Sequence, residues 1–443
     1  MRSAFEALVR AIHWPNTVLL FGLVSAVFVE SDLYRYCLPF LLLQGIVAYY
    51  LREDRPSIGP MGFLCALWGL HVGLRLALGM LDHGDPFRGS AEGIYLLALV
   101  LPTLGYAFYL HRSEFRMLTG VFVVASLVAL LLSLDPAAIF AGERARFLFH
   151  ANTIHASIGG GLIVLAMSAL LLHLLDAPDE PRRLRAAIAV LAAATMALAL
   201  LGILGARSKG VWLALGLSLP AMLVTFLAVA GGGRRLVPVL IGSSACALLF
   251  GFFFADQIAH ELLPNVDAAL AIGSQVASQG DLIGAFEDAM AAGYVPSTFD
   301  QRLALWVNAL EVWRQSIVLG SGTEWIDLWA AAPYSHRYAN LIHNGYLEIA
   351  VRYGIVGLAF YAFGAGWTLW QAAAARREGI IGNAVFALAV GAILFFALTL
   401  VTNSNVRLAI GESFMLVSGG FGFFCYFLRK DAERAASANG RPR

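Results

Sequence analysis

Lysine is nearly missing from this chain of 443 residues: only Lys209 and Lys430 occur, and arginine supplies every other cationic side chain. Charge of either sign is scarce, at 13% of residues, and a net charge of +1 excludes a general nucleic-acid-binding surface. The four cysteines, Cys37, Cys65, Cys246 and Cys425, all fall within or at the edge of apolar runs, which excludes a disulfide framework. No Cys/His spacing suits a metal ion, and no internal repeat supports a two-halved transporter with alternating access.

What the chain has in quantity is apolar side chain. At 59% hydrophobic residues and a mean hydropathy of +0.74, a soluble globule of this length would carry more apolar surface than one core can hide. Lipid is therefore the expected solvent. A hydrocarbon core about 30 Å thick takes about 20 apolar residues per helix, and every backbone polar group inside it needs an internal partner. Runs of that kind occur at 14–30, 36–51, 59–80, 92–110, 117–134, 154–175, 186–205, 211–230, 236–254, 354–372, 380–402 and 411–428. The expectation is an all-α polytopic membrane protein with about 12 transmembrane helices. The first run, preceded by Arg2 and Arg10, lacks a small-residue cleavage site and reads as a retained span rather than a signal peptide.

Cytoplasmic loops collect Lys and Arg. With the N-terminus inside, 18 of the 30 cationic residues fall on inner connections and the tail, 11 fall outside and Arg75 lies within the third span. Both termini are thus expected in the cytoplasm. The organisation reads as a nine-span region (1–254), a large helical periplasmic segment between spans 9 and 10 (255–353), a three-span region (354–428) and a polar tail (429–443).

The segment 255–353 is the one long break in the apolar pattern. In it, Thr298 and Gln301 have capping-box spacing, and Leu303, Trp306, Leu310, Trp313 and Ile317 recur at three and four residues. This predicts an amphipathic helix over 299–317 lying at the membrane surface, its tryptophans toward lipid. Gly320-Ser321-Gly322 breaks it, and a further helix is expected from Tyr346 through Gly354 into the membrane. The earlier half, 256–294, is compatible with short helices and carries no chemical motif.

Candidate chemistry gathers at the outer edge. The turn Arg207-Ser208-Lys209-Gly210 places two cations in a tight outer connection, against the charge bias, where interfacial snorkelling is the plain alternative. A planar guanidinium fork suits a diphosphate. Arg302 precedes Trp306 by one turn, and as a lone arginine it reads equally as a headgroup contact. His343, near the membrane, has the side chain whose neutral imidazole can take a proton from a hydroxyl, or it serves as a cap. His71 and Arg75 share one face of span three, and His150 and His155 flank the entrance of span six.

Taken in order, Arg207-Ser208-Lys209-Gly210, Arg302 with Trp306, Gly320-Ser321-Gly322, and His343-Asn344-Gly345-Tyr346-Leu347 followed by Gly354 and Gly357 resemble the O-antigen ligase and polymerase superfamily of bacterial inner-membrane glycosyltransferases. The motif likeness covers about residues 200–360, and the twelve-span layout with one large outer loop extends it to the whole chain. The resemblance implies transfer of a glycan from undecaprenyl diphosphate to a sugar of lipid A-core, at the periplasmic face of the inner membrane. It also implies that Arg207 and Arg302 are the membrane-edge and loop arginines, read here as holding the donor diphosphate, and that His343 is the catalytic base; Lys209 is added from its charge and place alone, as a further phosphate contact or an interfacial charge. Asn344, Tyr346, Arg75 and His71 stand as secondary candidates. Lys209 departs from relatives, which often have a small residue there, and 323–342 gives no pattern to which acceptor recognition can be mapped.

Displacement with a diphosphate leaving group needs no nucleotide, and one step inverts the anomeric centre. The acidic residues of the break, Asp281, Glu287, Asp288, Asp300, Glu324 and Asp327, form no paired motif, so no metal and no cofactor is expected. Alternatives are an O-antigen polymerase or a protein O-oligosaccharyltransferase of the same superfamily, and, from a different class, a multispan transporter or flippase.

Overall fold

The computed structural model describes residues 13–84, 90–176, 181–231, 237–337 and 342–438. Among these the fold is helical, with no strand beyond an isolated bridge between Val29 and Phe149. The helices are α1 (His13–Val24), α2 (Leu33–Tyr50), α3 (Gly59–His83), α4 (Leu101–Leu110, entered through a 3-10 segment Ser90–Val100), α5 (Phe115–Ser133), α6 (Pro136–Phe140), α7 (Thr153–Asp176) and α8 (Arg182–Ala206). They continue as α9 (Lys209–Val229), α10 (Val237–Gln279), α11 (Leu282–Ala292), α12 (Ser297–Gln315), α13 (Trp325–Ala330), α14 (Gly345–Arg377), α15 (Asn383–Leu400) and α16 (Ala409–Ala438).

Nine segments among the described residues are long and apolar enough to cross a membrane: α3, Ala91–Leu110, Arg112–Ser133, α7, α8, α9, α14, α15 and Ala409–Ser437. They correspond to nine of the twelve runs. The run at 14–30 is represented, among the described residues, by α1 and the 3-10 turn Ser25–Val27, and that at 36–51 by α2, a continuous 18-residue helix that carries Pro39 within it. The run at 236–254 opens α10, whose side chains over 237–254 lie outside the described residues. Helix α10 does not stop where hydropathy falls. It runs on for 43 residues through Pro264 to Gln279, one helix where several short ones were compatible with the sequence.

Charged contacts collect at two opposite ends of the bundle. At one end Arg35 binds Glu412, His155 meets Glu30 and Lys209 meets Glu261. At the other Arg52 joins Asp54 and Asp431, Arg429 joins Glu378 and Arg434 joins Asp54. Between them lies an apolar core built on α7, with Ile158, Ile163, Val164 and Leu165 inaccessible.

The C-terminal part of α10 together with α11, α12 and α13 forms a small helical cap with two cores of its own. Ala268, Ile272, Ala285, Ala289, Leu303 and Val307 make the first; Leu305, Val312, Trp325, Trp329, Ile342 and Val351 make the second. Helix α12 spans 297–315, close to expectation, but its apolar side faces protein. Trp306 packs on Phe286 and Phe299, and Trp313 donates its indole N–H to the Ile317 carbonyl at 3.0 Å. The capping box at Thr298 does not form, because the helix starts one residue earlier with no side-chain cap.

Helix α14 is interrupted at Gly354, where φ is 60° and ψ is −154°. The interruption releases two amides. Ile355 N–H donates to the Ile317 carbonyl at 3.0 Å and Val356 N–H to that of Val318 at 3.1 Å. A Cβ at Gly354 would lie 2.3 Å from the Val318 oxygen, so both the backbone region and the space demand glycine. Gly354→Ala is expected to lower stability by about 1–3 kcal/mol, seen as a fall in Tm of the detergent-solubilised protein. An unchanged Tm would show that the break can heal into continuous helix.

Candidate functional site

His343 sits at the mouth of α14 with φ of 53°, one of three non-glycine residues in the left-handed region among those described; the others are Arg207 and Leu148. Such conformations cost of order 1–3 kcal/mol and persist where surrounding contacts enforce them. Here the enforcement is visible on both sides. The Asn344 side chain caps α14, accepting from Tyr346 N–H at 3.0 Å and Leu347 N–H at 3.1 Å. On the other side Ile342 N–H donates to Glu348 Oε1 at 3.2 Å.

Glu348 is the centre of a buried polar cluster. Its Oε1 also accepts from Ser404 Oγ at 2.8 Å, and its Oε2 meets Arg352 Nη1 at 2.5 Å and Arg407 Nη1 at 3.6 Å. Arg352 in turn donates Nε to Glu92 at 2.7 Å and stacks its guanidinium 4.1 Å above Trp325, whose indole N–H also reaches Glu92. Glu348 and Arg352 are both 0% exposed. One carboxylate thus anchors the residue before His343 and the residue after Asn403, and it is Asn403 whose side chain hydrogen-bonds the His343 ring.

The His343 imidazole is held below its ordinary pKa, first by burial and next by the positive charge of Arg302, with His155 adding to the effect; Asn403 and Glu348 pull weakly upward. Its Nδ1 is buried without a hydrogen-bond partner among the described residues. Arg302, on the first turns of α12, is half-buried, and partial burial lowers its pKa. No hydrogen bond or carboxylate partner to Arg302 is found among the described residues. A guanidinium stays charged under any relevant condition, so this is an uncompensated cation beside a neutral base.

Arg207 and Lys209 lie on the turn between α8 and α9. Arg207 donates to the Gly142 carbonyl and approaches Glu261 at 3.6 Å, while its Nε is buried without a partner; Lys209 contacts the same carboxylate at 3.0 Å. No hydrogen bond or ion pair joins Arg207 to Arg302 or His343 among the described residues. The connection is through packing: a Cβ at Gly210 would fall 2.2 Å from Thr402 Oγ1, so the turn lies directly against the neighbour of Asn403.

The secondary candidates separate by role. Arg75 donates from its two terminal nitrogens to the carbonyls of Leu319 and Gly320, clamping α3 to the Gly320-Ser321-Gly322 segment, and His71 stacks near Trp68 and Tyr353 with its Nε2 unpartnered. Tyr346 donates its hydroxyl to the Ala397 carbonyl at 2.8 Å. His150 and His155 lie with Glu30 in a group whose ligand atoms are within 4.8 Å of one another, a donor set suited to a metal ion. His150 bonds Val27 O at 3.2 Å and His155 bonds Glu30 at 3.1 Å.

Sequence reasoning missed Asn403, Glu348, Glu92 and Glu261. Glu92 and Glu348 are carboxylates in or beside apolar spans, and an intramembrane charge is a functional flag by itself. Asn403 carries no such signal. Breaking a buried ion pair costs about 3–5 kcal/mol against about 0–1 kcal/mol for an exposed one. Glu348→Ala is therefore expected to lower Tm far more than Arg314→Ala, which removes the exposed pair with Glu311. Equal shifts would remove the cluster's structural role.

Comparison with curated proteins finds no match. Residues 194–362 match the family model described as O-Antigen ligase, a stretch that includes Arg207, Lys209, Arg302, His343, Glu348 and Gly354. Members of this family are glycosyltransferase-like enzymes acting on lipid-linked glycans. That match, together with the helices that suit the chain to a membrane, supports a likeness to the O-antigen ligase superfamily over residues 194–362.

Proposed function

We propose that the protein is an O-antigen ligase, transferring a glycan from undecaprenyl diphosphate to a sugar hydroxyl of lipid A-core at the periplasmic face of the bacterial inner membrane, with both termini cytoplasmic. The observation that carries this reading is Arg302: a partly buried guanidinium with no carboxylate partner among the described residues, close enough to the His343 imidazole for its charge to lower the imidazole pKa. Such a pair is set up for an anionic group and a proton donor together.

In the reaction the acceptor hydroxyl oxygen attacks the anomeric carbon, and its proton passes to the neutral His343 imidazole. The bond from the anomeric carbon to the diphosphate oxygen breaks, and the electron pair leaves with undecaprenyl diphosphate. Two unit charges about 4 Å apart at an effective dielectric of about 20 interact by about 4 kcal/mol, which is the scale on which Arg302 stabilises the departing anion. Arg207 and Lys209 are assigned to the outer phosphate. They are already shared with Glu261, so the donor must compete with that carboxylate. Attack from the face opposite the leaving group inverts the stereochemistry.

The base must be neutral to act, so activity rises with pH through the His343 pKa. Burial and Arg302 place that pKa below its ordinary value near 6.5, and the acid limb of kcat/KM is expected there. In Arg302→Ala the depressing charge is gone, so the limb should move to higher pH while kcat falls by roughly 10²–10³. His343→Ala should lose roughly 10²–10⁴ in kcat with donor binding retained. An acid limb unmoved by Arg302→Ala would separate the two residues.

The cations assigned to the diphosphate are guanidinium and ammonium groups, and transfer by purified protein is expected to continue in EDTA. Loss of activity restored by manganese or zinc would shift the chemistry toward Glu30, His150 and His155. Glycan analysis of a deletion strain tests the acceptor. Lipid A-core without long chains, with polymer still on the lipid carrier, is the expected outcome, and short glycans on an otherwise capped core would indicate a polymerase.

A further inference from the structure

Glu30, His150 and His155 form a second polar group, which the transfer reaction leaves unused. Glu30 follows α1 and the histidines flank the start of α7, yet one ligand atom from each lies within 4.8 Å of the others. Backbone contacts bring them together. A parallel bridge pairs Val29 with Phe149, whose N–H donates to the Phe28 carbonyl at 2.7 Å, so Glu30 and His150 each leave that bridge by a single residue. Helix α7 closes on the same stretch: there is no room for a Cβ at Gly159 against the Val27 carbonyl, and His155 lies one turn earlier on that face. Leu148, just before the bridge, is held in the left-handed region with φ of 53°, its N–H donating to Ser133 Oγ at 2.8 Å. Strain of this kind marks a place where the surroundings dictate the backbone.

The His150 ring gives an independent sign of a ligand. It is only 5% exposed. Its Nε2 meets the Val27 carbonyl at 3.2 Å, and because a carbonyl only accepts, that nitrogen carries the proton. In the neutral ring Nδ1 then presents a lone pair, and this atom is buried with no hydrogen-bond partner among the described residues. One ring nitrogen donating to a backbone carbonyl while the other is left for an ion is how metal-binding histidines are oriented. His155 Nδ1 and Glu30 Oε1 stand 3.1 Å apart, near the separation of about 3.3 Å between neighbouring ligands of a tetrahedral zinc ion. An ion pair alone accounts for His155 and Glu30 but leaves His150 Nδ1 unsatisfied.

We propose that Glu30, His150 and His155 bind a divalent transition-metal ion of the zinc type, in a site that ties the end of α1 to the start of α7. Two imidazoles and one carboxylate suit Zn²⁺, whereas Mg²⁺ and Ca²⁺ take oxygen ligands. Three protein ligands leave a position for water. Glu30 is the exposed member, its side chain 40% accessible, so the ion enters and the water sits on that side. No step of the transfer passes through this ion, and neither its binding nor its test depends on the donor or the acceptor.

Full-length protein in detergent, without a polyhistidine tag and stripped with EDTA, is titrated with Zn²⁺ against a chromophoric chelator. Stoichiometric binding at micromolar or lower Kd is expected. Losing a group that merely orients a ligand costs a zinc site about 10–100-fold in affinity, so Glu30→Gln and His155→Ala should each weaken binding at least about ten-fold. His173→Ala, on an exposed histidine at the other end of α7, should leave it unchanged. Zn²⁺ should also raise the Tm of the wild type and not that of Glu30→Gln. Glutamine keeps the shape of Glu30 and its contact with His155, so an unaltered Tm of this variant in EDTA shows an intact fold. X-ray absorption by the zinc-loaded protein should give nitrogen and oxygen neighbours at about 2.0–2.2 Å. Sulfur at about 2.3 Å would place the ion on cysteine and overturn the assignment. No binding in the micromolar range, an affinity unchanged in both Glu30→Gln and His155→Ala, or equal stabilisation by Mg²⁺ would overturn it as well.

Discussion

One buried carboxylate, that of Glu348, joins two pieces of chain that lie 56 residues apart in sequence, and the candidate site exists only where they meet. On one side it holds Ile342, on the other Ser404, and between these neighbours the His343 ring meets Asn403. Burying an ion pair rarely stabilises a protein relative to a well-packed apolar replacement, because desolvation offsets the attraction. A cluster of Glu348, Arg352 and Glu92 that is almost wholly inaccessible is therefore better explained by the geometry it enforces than by net stability. The left-handed backbone at His343 fits that view, since a strained residue needs its neighbours pinned.

The arginines divide in an informative way. Arg35, Arg52, Arg352 and Arg429 each have a carboxylate within 2.9 Å, and Arg75 is committed to backbone carbonyls. Arg302 has neither among the described residues, yet it is half-buried, and burial lowers its pKa. An isolated charge in such a place raises the energy of the folded state, and the surrounding cap, with Leu303, Leu305 and Val307 packed beneath it, is what keeps α12 in position despite that. The same charge depresses the pKa of His343, so under the proposed function a single side chain would both attract an anion and keep the neighbouring imidazole unprotonated.

How far the sequence foretells this depends on how local each signal is. Hydropathy reports solvent directly, which is why nine spans coincide with nine of the predicted runs. The continuation of α10 beyond the apolar stretch was not legible because residues that disfavour helix, Pro264 and Gly273, are carried within it, and the packing of Ala268 and Ile272 in the cap core overrides local propensity. The tryptophans of α12 announced an apolar face but not what covers it, and the cover is protein from α11 and α13 rather than lipid. Arg207, Arg302 and His343 were legible as an ordered set of motifs. Asn403 was not, since its importance comes from a long-range contact that leaves no periodicity behind.

The break at Gly354 ties the site to a depth. Ile317, Val318, Leu319, Ile355 and Val356 around it are all exposed and apolar, so this surface belongs against hydrocarbon. Non-helical backbone survives at such depth only if its polar groups are satisfied within the protein. Here the amides freed by Gly354 bond the carbonyls of 317 and 318, and Arg75 takes those of 319 and 320. Arg75, placed by sequence among the candidates for chemistry, thus completes a backbone seal in which the glycine-rich segment, α3 and α14 are mutually fixed. With the seal against hydrocarbon, His343 lies some three turns of α14 from it, which under the proposed function sets the base within reach of a substrate carried on a membrane lipid.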